Sequence, residues 1–430
     1  MPDGTSTQGL FRPKLATILT EGYDLRAFRQ DVVAALTVAV VALPLSMAIA
    51  VASGVSPARG LYTAIIGGFV VSALGGSRFQ IGGPAGAFIV LVAATAGRFG
   101  VDGLLLTVFM SGLMLAALGA TRLGSLIRHM PHAVTVGFTG GIAVTILASQ
   151  LKDFGGLTLH GAEPGPLPAK VVALAAAAPS LSWPTLALGV ACVAVIFIVR
   201  RFRPNWPGLL MAVVGAALIA AVLHLPVQTI GGRFGDLPRG LASPHLPPWS
   251  PALVLQLLPT ALSFTLLGGI ESLLSAKVAD AMTGRRHRSN MELVAQGIAN
   301  MASAVFGGIS VTGTIARTAT NVKAGARSPL SGMMHSVFLL LFLVVAAPLA
   351  RYVPLAALAG VLVVVCWNMA EKAEFARLLR NWRTGVVLLT TFGLTLAKDL
   401  TTGIVCGCLA AAVLALVRRP VAEEGDGTEP

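Results

Sequence analysis

The chain has 430 residues, 55% hydrophobic and 11% charged, with a mean hydropathy of +0.81. A soluble domain carries roughly a quarter charged residues, so the composition excludes a soluble globular protein and identifies a polytopic membrane protein. The formal net charge of +13 does not point to nucleic acid, because the Lys and Arg residues are scattered in short loops without interleaved aromatics.

Residues 1–30 form a largely polar segment holding Arg12, Lys14, Arg26 and Arg29, with no apolar core of a secretory signal. Apolar runs of spanning length then fall at 31–53, 57–75, 84–98, 103–121, 131–151, 180–200 and 206–224. A Pro/Gly-rich linker at 225–251 contains Pro238, Pro244, Pro247 and Pro248. A second set of runs follows at 252–276, 290–306, 312–325, 329–350, 354–370, 384–398 and 401–418. The acidic stretch 420–430, with Glu423, Glu424, Asp426 and Glu429, reads as a disordered tail.

The expected fold is therefore all-α, with 14 transmembrane segments in two sets of seven. An odd number of spans per set inverts the second set in the membrane, which is the inverted-repeat plan of secondary transporters. Lys and Arg gather on one side of these spans, which places both termini in the cytoplasm and the 225–251 linker outside. Two basic stretches at 122–130 and 372–383 read as interfacial helices.

The third member of each set is interrupted. The first interruption is Phe79-Gln80-Ile81-Gly82-Gly83-Pro84-Ala85-Gly86, and the second is Gly307-Gly308-Ile309-Ser310-Val311-Thr312-Gly313-Thr314, followed by Arg317. Each reads as a few extended residues and then a helix start, with Pro84 in a first helical turn and Thr312 as N-cap. Two opposed helix N-termini supply free N–H groups and positive dipole ends, which suit an anion held at mid-membrane. Ordinary bends in membrane helices are the alternative.

Other chemistry is thin. Cys192, Cys366, Cys406 and Cys408 lie in apolar runs, and the last two are spaced to point in different directions, so neither a disulfide nor a metal site is implied. His129, His132 and His335 make no metal-ligand pattern, and no cofactor is called for. The pair Asp280 and Lys277, and the run Arg285-Arg286-His287-Arg288, read as a solvated loop. Glu292 fits a helix N-terminal acid. No GxxxxGK[ST] motif is present, which argues against ATP-driven transport by this chain.

From Pro57 to Arg78 (PARGLYTAIIGGFVVSALGGSR), through QIGGPAGAF, and again from Gly268 to Gly332, the chain resembles the sulfate permease family of anion transporters. The resemblance runs over essentially the whole chain. It implies a core domain of spans 1–4 and 8–11 (31–121 and 252–350) and a gate domain of spans 5–7 and 12–14 (122–224 and 351–419). Substrate would sit between half-helices 3 and 10. Members carry sulfate, bicarbonate, chloride, oxalate or dicarboxylates, some with H⁺ or Na⁺. Two features depart from the family pattern. The usual Gln after the span 1 proline is replaced, since Pro44 is followed by Leu45 and Ser46, so a side-chain donor is either absent or supplied by Ser46. The usual C-terminal STAS domain is not among these 430 residues, which fits either a truncated form or a minimal member.

The expected anion donors are the backbones of Ala85, Gly86, Ala87, Gly313, Thr314 and Ile315, with hydroxyls from Thr312 and Thr314. Arg317, costly in a membrane, either coordinates the anion, sets the local potential while paired with a carboxylate, or snorkels to the interface. Glu271 is the one carboxylate well inside a span. It would carry a proton, ligate Na⁺, or simply neutralise Arg317 or Lys277.

The leading expectation is a proton-coupled secondary transporter of a dicarboxylate or inorganic oxyanion in a bacterial inner membrane, working by an elevator-like shift of core against gate. An anion channel or exchanger and a nucleobase carrier are the alternatives. An enzyme would need more converging groups than one Glu and one Arg. Expected partners are the small anion, the coupling ion and the lipid bilayer, without nucleic acid. A homodimer is one assembly such a carrier can adopt.

Overall fold

The structure, a computed structural model, describes residues 11–122, 131–159, 161, 163–164, 166–204, 206–398 and 400–416. The expected interfacial helix at 122–130 beyond Arg122, His129, and the expected tail at 420–430 lie outside the described residues.

The protein is an all-α polytopic membrane protein of fourteen segments in a seven-plus-seven inverted repeat. In the first set, span 1 is Leu25–Ala52, span 2 runs from Pro57 to Leu74, and spans 3 and 4 share Gly86–Ala120. Spans 5, 6 and 7 are His132–Gly155, Trp183–Phe202 and Gly208–Val222. In the second set, spans 8 to 11 are Pro251–Thr283, Ser289–Val305, Ile315–Lys323 and Leu330–Ala350. Spans 12 to 14 are Leu355–Met369, Trp382–Ala397 and Leu400–Leu416. Among the described residues, eight helices are long and apolar enough to cross a membrane. At nine residues span 10 is not one of them, as expected of a half-helix.

Local chemistry sets several boundaries. The Asp24 side chain caps span 1 by accepting from the Ala27 N–H at 2.8 Å. Ser250 caps span 8 by accepting from Leu253 N–H at 3.2 Å, with Pro251 in the first helical position. Spans 3 and 4, expected as separate runs, form one helical stretch bent at Gly100, whose φ of 71° and ψ of −177° break the helical backbone. Three helices fall where none was expected: Lys14–Glu21, Leu167–Ala177, and Ile230–Phe234 inside the linker. At eight, eleven and five residues, all are too short to give a spanning signal. In the second half a helix, Lys372–Leu379, falls within the stretch expected to be helical.

Spans 4 and 9 pack backbone to backbone. A Cβ placed on Gly297 would lie 2.4 Å from the Ala116 nitrogen and 2.5 Å from the Gly112 carbonyl oxygen. Only glycine permits this approach, the usual way membrane helices associate.

Two short strands cross inside this bundle. β1 (Gly82–Gly83) precedes span 3 and β2 (Thr312–Gly313) precedes span 10. They pair antiparallel with Gly82 opposite Gly313 and Gly83 opposite Thr312. Two equivalent segments of an inverted repeat run in opposite directions, so antiparallel pairing is what that symmetry requires. The chain forms two compact units, Met1–His129 with Thr145–Asn368, and Met130–Val144 with Met369–Pro430. Both strands and spans 1–4 and 8–11 belong to the first.

Candidate functional site

Extended backbone within a membrane needs partners from the protein itself, and side chains of four neighbouring segments supply them. Asn300 on span 9 clamps Val311, donating to its carbonyl at 2.8 Å and accepting from its N–H at 2.9 Å. The Thr63 hydroxyl on span 2 accepts from Ile309 N–H at 2.7 Å. Thr318 on span 10 accepts from Ile81 N–H at 3.1 Å, while Asn321 donates to the Phe79 carbonyl at 2.9 Å. Ser272 on span 8 accepts from Gly313 N–H at 3.2 Å and shares a 2.9 Å hydrogen bond with the Thr312 hydroxyl. These residues were not singled out by sequence reasoning. Their signal, isolated hydroxyl and amide side chains in apolar runs, is too common in membrane helices to stand out.

The helix starts differ from expectation. The N-cap of span 10 is Thr314, with φ −98° and ψ 120°, rather than Thr312, which lies inside β2. Span 3 opens with a 3₁₀ turn at Gly86–Phe88 whose N-cap is Ala85, so Pro84 lies outside the first helical turn. Strand pairing accounts for Thr312, because a residue bonded across a ladder is extended and cannot begin a helix; Pro84 follows β1 directly, and the backbone stays extended through Ala85 at φ −117° and ψ 147°.

This relocates the available donors. Gly313 N–H goes to Ser272, and Thr314 N–H donates to the Ile81 carbonyl at 3.0 Å. Thr312 hydroxyl is buried against Ser272 and Gly268, and Thr314 hydroxyl donates to the Ile81 carbonyl at 3.2 Å. None of these four groups is left for a ligand. Gly86 and Ala87 on one side, and Ile315 and Ala316 on the other, sit in first turns whose N–H groups have no acceptor one turn back. Ala316 was not among the expected donors. Ile315 is 42% exposed while Thr312 is fully covered, so the open side of the crossing is at these first turns.

Arg317 is 1% exposed. Its Nη2 donates to Ser46 Oγ at 3.1 Å and to the Pro84 carbonyl at 3.4 Å. The Ser46 hydroxyl in turn donates to the Ala42 carbonyl at 2.7 Å, so Ser46 holds the guanidinium and has no proton to offer an anion. Nε and Nη1 of Arg317 have no hydrogen-bond partner. Nη1 lies over Gly83, where a Cβ would approach it to 2.2 Å. The glycine therefore lets the guanidinium lie against β1. Among the described residues no ion pair joins Arg317 to a carboxylate.

Glu271, one turn from Gly268 on span 8, is partly buried, and its Oε2 has no hydrogen-bond partner. It does not pair with Arg317. Two further buried groups border the crossing. Gln80 has both amide atoms without partners, and a Cβ on Gly313 would meet its Nε2. His335 on span 11 is fully buried within electrostatic reach of Arg317, and neither ring nitrogen finds a well-aligned partner. No metal-ligating group of three or more residues occurs among the described residues.

Comparison with known proteins agrees with this fold. The sequence pattern of the Sulfate permease family matches residues 28–391. The chain is similar to a putative sulfate transporter, YvdB, of Bacillus subtilis, with 42% identity over 93% of this chain and 75% of that protein. It is also similar to the bicarbonate transporter BicA of a Picosynechococcus species, with 31% identity over 93% and 72% of the two chains. Among solved structures, the transmembrane domain of a cyanobacterial bicarbonate transporter BicA superposes with a TM-score of 0.79 at 29% identity, covering 91% of this chain and 98% of that one. A membrane-embedded helical bundle with two opposed half-helices, and this similarity over nearly its whole length, identify a transporter rather than an enzyme: the chain belongs to the sulfate permease family.

Proposed function

We propose that the protein is a secondary transporter of a small inorganic oxyanion, of the sulfate or bicarbonate kind, coupled to protons. The observation that carries this reading is Arg317, a fully buried guanidinium with two unpaired donor atoms and no carboxylate partner. An uncompensated buried charge costs many kcal/mol, and a bound anion removes that cost. The first turns of spans 3 and 10 add N–H groups and roughly half an elementary charge each. Gly86 and Ala87 would donate from one side, and Ile315 and Ala316 from the other. Arg317, steadied by Ser46, supplies the full charge.

Glu271 is the proposed proton carrier. When ionised it offsets the positive charge of the site, and when protonated it leaves that charge free to attract an anion, which links the two fluxes. Transport is proposed to proceed by movement of the core spans 1–4 and 8–11 against the gate spans. The proposed setting is a bacterial inner membrane with both termini cytoplasmic, in keeping with the asymmetry of Lys and Arg.

The test is uptake into proteoliposomes of labelled sulfate, bicarbonate, chloride, oxalate and fumarate, with and without an imposed proton or sodium gradient. Concentrative uptake of sulfate or bicarbonate driven by an inward proton gradient is expected. Uptake of none of these anions, or uptake indifferent to both gradients, refutes the proposal.

A further inference from the structure

The loop joining spans 8 and 9 reads in sequence as a solvated basic run, yet it is fixed at both ends. Gly284 closes span 8 in the left-handed region, at φ 69° and ψ 9°, with its N–H donating to the Asp280 carbonyl at 2.8 Å. Asp280 Oδ2 accepts from His287 N–H at 3.1 Å and meets the ring Nδ1 at 2.6 Å. The other ring nitrogen lies 3.0 Å from Ser289 Oγ. Arg288 turns away from the loop, donating to the Arg12 carbonyl at 2.7 Å and the Thr17 hydroxyl at 3.0 Å.

What remains is a cavity of about 330 Å³ lined by Lys277, Asp280, Arg285, Arg286, His287 and Ser289. The lining sets the guanidiniums of Arg285 and Arg286 against one carboxylate, and that carboxylate is already held by His287. The excess is positive and presented on a rigid frame. Ser289 is also the first residue of span 9, a helix of 17 residues, so the positive end of its dipole adds to the field. The volume is at the lower end of small-molecule pockets, roughly 300–1,000 Å³, and is larger than an inorganic oxyanion needs. Gly284 lies twelve positions beyond Ser272, which touches β2. At 1.5 Å per residue this is about 18 Å, so the cavity is not part of the crossing.

We propose that this cavity binds a phosphate monoester, carried either by a membrane lipid headgroup or by a small soluble metabolite. Guanidinium forks match phosphate oxygens in paired hydrogen bonds, and two adjacent arginines give a doubly charged group two such forks. A loop at the membrane surface can meet an anionic headgroup as readily as a soluble phosphate. Occupancy would tie the span 8–9 loop more tightly to the core, independently of the transported anion.

The full chain in neutral phosphatidylcholine nanodiscs is titrated with glycerol 3-phosphate, and in a second arm part of the lipid is replaced by phosphatidic acid. Hydrogen exchange is read across residues 280–291 and 312–318. Slowed exchange confined to 280–291 is expected in at least one arm. A response to glycerol 3-phosphate assigns a soluble ligand, and a response to phosphatidic acid alone assigns the headgroup. The double variant Arg285→Gln/Arg286→Gln, at two exposed positions, should weaken binding by about tenfold for each arginine removed, the scale of a hydrogen bond to a charged group. Protection confined to 312–318, no protection in either arm, or equal affinity in the double variant would each overturn the proposal. Loss of oxyanion transport with this binding intact would instead count against the transport reading alone.

Discussion

Arg317 brings a full charge into a covered position, and its neighbours hold only one end of it. Ser46 and the Pro84 carbonyl take Nη2, leaving Nε and Nη1 for a ligand. Arg317→Gln should therefore raise the half-saturating anion concentration by about 1.5 to 3.5 orders of magnitude, the consequence of truncating one partner of a buried charge pair at roughly 2–5 kcal/mol. Arg317→Lys keeps the charge but loses the fork, so an intermediate loss is expected. Initial uptake rates in proteoliposomes measure both, and an unchanged half-saturation in Arg317→Gln would remove the residue from the site. Glu271 makes no ion pair with Arg317 and leaves Oε2 unpartnered, so its proposed role is to exchange a proton. Glu271→Gln should abolish the response to a pH gradient while anion exchange persists; a retained response would exclude it. At this scale the sequence revealed the charged residues but not which backbone donors are already taken. Arg317 and Glu271 stand out because charges are rare inside spans. The capture of Gly313 and Thr314 N–H groups by Ser272 and Ile81 depends on contacts across 41 and 233 residues, which no local pattern encodes.

Two elements carry their own tests. Spans 4 and 9 touch through Gly112, Gly119 and Gly297, where an added Cβ would lie less than 3 Å from backbone atoms of the other helix. Gly297→Val should destabilise the fold by about 1–3 kcal/mol, as overpacking does, lowering the unfolding temperature in detergent; an unchanged temperature would show that these helices can part without cost. The helix Lys14–Glu21 docks on the core through Lys14 N–H to the Gly75 carbonyl at 3.0 Å and an Arg78–Glu21 ion pair at 2.5 Å. Burial, with the Arg288 and Arg78 charges beside it, lowers the Lys14 ammonium from 10.5 to about 8. Docking thus disfavours the protonated amine. The penalty is fully present below pH 8 and fades up to 10.5, because the undocked state holds more protons across that window. The Arg78 hydrogen bond acts oppositely on Glu21, lowering its carboxyl, so that contribution is present above 4.5 and lost as pH falls through the lowered value. Hydrogen exchange at residues 14–21, corrected for its intrinsic rate, should slow between pH 8 and 10.5, and Lys14→Met should flatten that response. Spanning elements were legible in sequence because bilayer thickness dictates their length. The bend at Gly100 was not, since a single glycine inside a long apolar run resembles many that stay helical.

For the molecule as a whole, the seven-plus-seven plan follows from hydropathy and from the two matched interruptions, while the ladder joining them appears only once both halves are folded. Antiparallel pairing of β1 with β2 binds the two halves at the crossing, so the proposed site is formed by both repeats and belongs to neither. A carrier built this way must open that site to one side of the membrane at a time, whereas a channel opens it to both. Ala316 is exposed, while the buried side of the same half-helix carries Arg317 and Thr318. With the four native cysteines replaced, Ala316→Cys should react with a membrane-impermeant thiol reagent from one face only under a given condition. Saturating sulfate or bicarbonate should slow the reaction, and adding Arg317→Gln should remove that protection. Simultaneous labelling from both faces at equal rates would favour a channel. Labelling that no anion slows would place the binding site away from the crossing.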